Sequence, residues 1–143
     1  MANKYYGKSI LGELSDAQAL PNAGASDSTD MVYVGGPTNG RLWIDVYANT
    51  DITIATGQEL QIALEVYTED TSASAVSPID NAHYYLLDKT SDDDELAFSE
   101  GDLVTQIAVP EDLMGSNEYV QLVYTTDADE SSEKVDAFVY TKV

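Results

Sequence analysis

From Met31 onward the chain alternates apolar and polar residues with a period of two. Gln58 to Tyr67 is the clearest case: Leu60, Ile62, Leu64 and Val66 fall on one face, and Gln61, Ala63, Glu65 and Tyr67 on the other. On a helix those apolar residues would spread around the axis instead of forming one stripe. Similar runs occur at Met31 to Val34, Arg41 to Tyr47, Ile52 to Ile54, Tyr84 to Asp88, Leu103 to Val109, Glu118 to Thr126 and Val135 to Val143. Phe98 suggests a brief edge strand before Gly101. Turn signals separate the runs: Gly35-Gly36-Pro37, Asn39-Gly40, Lys89 to Glu95, Pro110 and Asp127 to Glu133. Glu111 to Met114, with Gly115 as its C′ residue, has the makings of one helical turn.

About eight strands without a long helix predict an all-β fold, an antiparallel β-sandwich. The stretch from Glu69 to Ala82 reads as a long loop crossing between sheets, as a jelly roll requires. Residues 1–30 read differently. Ser15 to Leu20 could form a short capped helical turn stopped by Pro21, and Asn22 to Asp30 is small and polar throughout. The expected organisation is an extended N-terminal arm and connection over 1–30, followed by a sandwich domain over 31–143.

Composition narrows the function. Among 143 residues there are 26 Asp or Glu against 6 Lys or Arg, a formal charge of −20. Such a chain is repelled by nucleic-acid backbones and anionic membranes, so neither is expected as a partner. With 43 % hydrophobic residues and 10 Tyr it is too apolar for an acidic disordered tail. The absence of Cys removes disulfides, thiolate metal sites and thiol catalysis. The polar start, Met1 to Ile10, lacks a secretory h-region, which points to synthesis in the cytoplasm.

Candidate chemistry is thin. His83 is the single imidazole, beside Tyr84 and Tyr85, and no serine sits in a nucleophile elbow. No enzyme, cofactor or defined metal site is expected. Asp92-Asp93-Asp94-Glu95 and Asp127 to Glu130 gather hard oxygen ligands that calcium favours, yet they lack EF-hand spacing and read first as solvated turns that keep sheet edges from pairing with other chains. Several tyrosines fall in predicted strands, and Tyr67, opposite the Leu60–Val66 stripe, is expected to face solvent. Exposed tyrosines suit a protein interface or a sugar platform.

Three segments add a resemblance. Leu14-Ser15-Asp16-Ala17-Gln18-Ala19-Leu20, then Asn117 to Thr125 (NEYVQLVYT), then Asp136-Ala137-Phe138 occur in this order. In that order the chain resembles the capsid cement (decoration) proteins of short-tailed tailed phages, the family typified by the Bordetella-phage cement protein. The resemblance implies a jelly roll and a structural, non-enzymatic role on the outside of the virion. There it would bridge subunits of the major capsid protein and associate with itself as a homodimer or homotrimer. It also suggests a capsid-gripping arm around Lys4, Tyr5, Tyr6 and Lys8; an ordinary frayed terminus is the other reading. The competing functional class is a carbohydrate-binding β-sandwich, with or without calcium.

Overall fold

The computed structural model describes residues 12–34, 42–67, 84–109 and 118–141. The predicted features at 1–11, Gly35 to Arg41, the 68–82 loop, His83 and the 111–115 turn lie outside these residues. The strands are β1 (Glu13–Ala19), β2 (Asn22–Asp27), β3 (Val32–Tyr33), β4 (Leu42–Ala48), β5 (Ile52–Ile54), β6 (Leu60–Tyr67), β7 (Tyr84–Lys89), β8 (Leu96–Phe98), β9 (Leu103–Ala108), β10 (Tyr119–Asp129) and β11 (Lys134–Thr141).

Two main antiparallel sheets form, in the orders β1-β11-β4-β9 and β2-β10-β6-β7, with β3 added beside β10, and β5 pairs with β8 in a small two-stranded sheet. Set the short β3, β5 and β8 aside, and the pairing is nested. The first strand pairs with the last (β1–β11), the second with the second-last (β2–β10), then β4 with β9 and β6 with β7. This is one long hairpin of strand pairs. It is rolled so that β11 also meets β4 and β10 also meets β6. That topology is a jelly roll, within the antiparallel sandwich that the strand spacing predicts.

The alternation read from the sequence fixes which residues go inside. Leu60, Ile62, Leu64 and Val66 of β6 face Val120, Leu122 and Tyr124 across the strand pair, all fully buried. The other sheet supplies Ile44, Val46, Val135, Ala137 and Val139. The two inner faces interdigitate into one core.

The N-terminal organisation differs from the expectation. Residues 13–27 are not arm and linker but two edge strands, one on each sheet. The physical reason lies in Leu14 and Leu20, which are 0 % and 1 % exposed. Burying each contributes about 2 kcal/mol, which a solvated arm would forgo. The predicted helical turn at Ser15 is likewise replaced by strand. β1 follows β11 with register shifts between Glu13 and Gln18, and Ala17 takes a positive φ of 48° there. Those irregularities break the period-two signal. Just before β1, a Cβ on Gly12 would lie 2.0 Å from Val139 O, so only glycine fits against β11 there.

β10 is also longer than expected. Asp127 to Asp129, read as loop, continue the strand, and Asp129 pairs with Asn22 of β2. The acidic loop shrinks to a turn before Lys134.

Candidate interaction surfaces

The three family-like segments meet in space. Ser15 of β1 lies opposite Ala137 of β11, and Glu13 opposite Phe138. The buried Ser15 hydroxyl donates to Gln18 Oε1 at 2.6 Å, so the Tyr124 hydroxyl 2.8 Å away is the donor to Ser15 Oγ. Burial is the largest cause pushing the Tyr124 phenol well above its usual range. Gln18 Oε1 also accepts from the amide and hydroxyl of Thr29, and its Nε2 donates to Asp27 O. Asp136 holds the backbone of the bulge: Oδ1 accepts the Ala17 amide at 2.7 Å, and Oδ2 accepts from Asn49 Nδ2 at 3.0 Å. Of these residues Asp16 and Ala19 are exposed; Ser15, Asp136, Ala137 and Phe138 are buried. The segments therefore fasten β1 and β2 to the roll. Lys4, Tyr5, Tyr6 and Lys8 lie outside the described residues.

Each sheet also carries a carboxylate on its outer face, served by a tyrosine two residues along the same strand. On β4, Asp45 accepts from Tyr47 Oη at 2.9 Å, from Tyr140 Oη at 3.0 Å and from Gln106 Nε2 at 2.8 Å. On β6, the Tyr67 hydroxyl donates to Glu65. Both phenols are pushed well up, first by burial and then by donating to a carboxylate. Tyr67 is thus a correction. It points to the outer face as expected, but it is 5 % exposed, with its hydroxyl turned back along its strand to Glu65. Beside it, burial and the Glu65 charge raise the Asp27 carboxyl.

The sequence signal for these pairs is Ile44-Asp45-Val46-Tyr47 against Leu64-Glu65-Val66-Tyr67. The strands hold corresponding places in the two sheets, where tyrosine hydroxyls supply donors in a chain poor in Lys and Arg.

Other aromatics stay exposed. Tyr33 is 61 % exposed and stacks edge-on against Tyr119, with ring centroids 5.3 Å apart. Tyr84, Tyr85 and Leu103 are exposed on β7 and β9. These are the edge strands of the two sheets on one side of the sandwich, joined where Thr105 Oγ1 donates to Leu86 O.

The acidic loops are built as turns. Asp93 Oδ2 accepts both the amide and the hydroxyl of Thr90, which lowers its pKa. Asp129 does the same for Ser131, and Asp127 caps the Glu59 amide. Lys89 sits with its ammonium beside the first loop. It is 2 % exposed, and its Nζ donates to the carbonyls of Ala55, Gln58, Thr90 and Asp93 at 2.7–3.3 Å. Among the described residues no group of three His, Asp or Glu side chains is placed to hold a metal ion.

At one end of the sandwich a groove of about 260 Å³ opens between the sheets, lined by Val32, Val34, Leu42, Val139 and Tyr140 among others. Comparison with protein-family models and with curated proteins gives no match for this chain.

Proposed function

We propose that the protein is a structural virion protein, a capsid cement or decoration protein. On this reading it binds the outside of a phage head and bridges major capsid protein subunits as a homodimer or homotrimer. The observation that carries the reading is the exposed aromatic surface on an acidic jelly roll. Tyr33 with Tyr119, and Tyr84, Tyr85 and Leu103 along one edge, give a partner protein large apolar contacts. The charge of −20 keeps such a surface soluble until it docks. The family-like segments support a shared architecture, since they hold the fold; the tyrosines supply the contact. Many weak contacts over a lattice then sum to a firm hold.

The experiment is co-sedimentation of the full chain with assembled phage heads, compared with Tyr33→Ser and Tyr85→Ser variants. Saturable binding by the full chain, weakened in the variants, supports the reading. The arm is tested separately by deleting residues 2–8, because a deletion to residue 20 would remove β1 and the buried Leu14 and Leu20. If heads are not bound and a glycan array gives tyrosine-dependent hits, the carbohydrate-binding reading replaces this one.

A further inference from the structure

The turn between β10 and β11 buries acid against acid. Glu130 is 7 % exposed, and its amide donates to Pro21 O at 3.1 Å. Glu133 N donates to Glu130 O at 3.0 Å, and Glu133 O accepts from Leu20 N at 2.9 Å. One carboxylate oxygen of Glu133, Oε2, accepts the Thr53 amide of β5 at 2.5 Å. The other, Oε1, is shut off from solvent, and no donor among the described residues reaches it. The buried Glu130 side chain belongs to the same turn, and its carboxyl interacts with that of Glu133.

Two ionised carboxylates offer only acceptors, so their contact becomes a hydrogen bond only when one carries a proton. The neighbours make ionisation of both costly. The charges acting on Glu130 are those of Glu133, Asp129 and Asp127, all negative. From the β1–β2 corner the contacts are the main-chain groups of Leu20 and Pro21, and from β5 the amide of Thr53.

We infer that Glu130 and Glu133 share one proton, Glu130 donating to Glu133 Oε1, and that its loss slackens the grip of this turn on the β1–β2 corner and on β5. The clamp is closed in mildly acidic solution and loosens above neutrality. Burial first, then the bond to Glu133 and the surrounding negative charges, push the Glu130 carboxyl up to about 7. The titration belongs to the pair as a unit.

The test is a titration of the full chain, ¹³C-labelled at the Glu carboxyls, from about pH 4 to 9. The pair is expected to titrate in two steps, the upper one near 7. Across that step, hydrogen-exchange protection of the Leu20 and Thr53 amides falls by about tenfold or more. In Glu130→Gln the amide is a permanent donor to Glu133 Oε1. The upper step then disappears, and protection of both amides no longer falls near neutrality. His83 is present in both proteins, so their difference isolates the pair. In Glu133→Gln, Glu130 is expected to titrate closer to the ordinary carboxylate range. The inference is overturned if both carboxyls have titrated by about pH 5, or if Glu130→Gln keeps the wild-type pH profile. If Glu130→Gln does not fold, the titration of the unmodified chain decides alone.

Discussion

Lys89 and Glu130 are both ionisable side chains drawn into the fold, and they are accommodated in opposite ways. Lys89 ends β7 with its ammonium among four backbone carbonyls, so each of its protons has an acceptor. Glu130 meets another carboxylate and further negative charge, and a bound proton relieves it. The cation site is satisfied by main-chain atoms that do not titrate; the acid site depends on pH. A chain of this composition has few cations to place, and one of them closes the acidic 89–95 turn from within.

The largest expected effect breaks the Lys89 side of the comparison. Two of its acceptors, Ala55 O and Thr90 O, also receive backbone amides from Gln58 and Asp93. Lys89→Met still removes the donor that ties the two turns together and leaves carbonyls poorly satisfied in a dry place. A loss of about 3 kcal/mol is expected in urea unfolding. A change within about 0.5 kcal/mol would mean the cage adds nothing to stability.

The acid side gives the next effect, and its sign is fixed. Folding raises Glu130 from its ordinary 4.5 to about 7, so between those values the folded state keeps a proton that the unfolded chain has released. Stability is therefore full at the acid end and declines as pH rises from about 4.5 to about 7, then levels off. The expected decline is about 1–2 kcal/mol, allowing for solvent screening. Asp93 and Asp129 have lowered pKa values and act the other way, losing their contribution only as pH falls below the ordinary Asp range. Urea midpoints measured from pH 5 to 8 check the sign; a rise over that interval would sink the Glu130 assignment.

A smaller effect tests the neutral network at the other polar junction. Tyr124→Phe removes the donor to Ser15 Oγ but leaves Ser15 bonded to Gln18. About 1 kcal/mol should be lost, independent of pH. A pH-dependent loss between 5 and 8 would link this junction to the acid pair.

How far the sequence reaches depends on whether local order survives tertiary contact. The strands with clean alternation, β4, β6, β10 and β11, were legible because one apolar face turned to the core imposes a period of two. β1 and β2 were not, for physical reasons. β1 is kinked by register shifts, and β2 is built from Asn, Ala, Gly, Ser and Asp, with its backbone bonds to β10 and few buried side chains. Leu14 and Leu20 bracketing the segment were the available hint. The polar junctions were hidden more deeply. Glu130 among many acids and Lys89 after an apolar run look like ordinary surface residues, and only the folded chain brings Glu133 or the carbonyls of 55–58 beside them. The paired Asp45–Tyr47 and Glu65–Tyr67 could have been noticed, as a repeated acid-x-tyrosine inside two strands.

The smallest effect on stability belongs to the exposed tyrosines, and there the contrast with buried charge is sharpest. Tyr33 and Tyr85 are 61 % and 52 % exposed, so Tyr33→Ser and Tyr85→Ser should each move the unfolding free energy by no more than about 0.5 kcal/mol. Tyr33 gives up its edge-on contact with Tyr119, which places it at the upper end of that range. If these residues contact a capsid surface, the same substitutions should weaken head binding by about tenfold or more, as truncating an aromatic anchor does. Lys89→Met should instead reduce stability and leave binding of the folded fraction unchanged. Paired unfolding and co-sedimentation measurements on the variants separate the two roles. Tyrosine variants that unfold early but bind normally would move these residues from the contact surface to the framework.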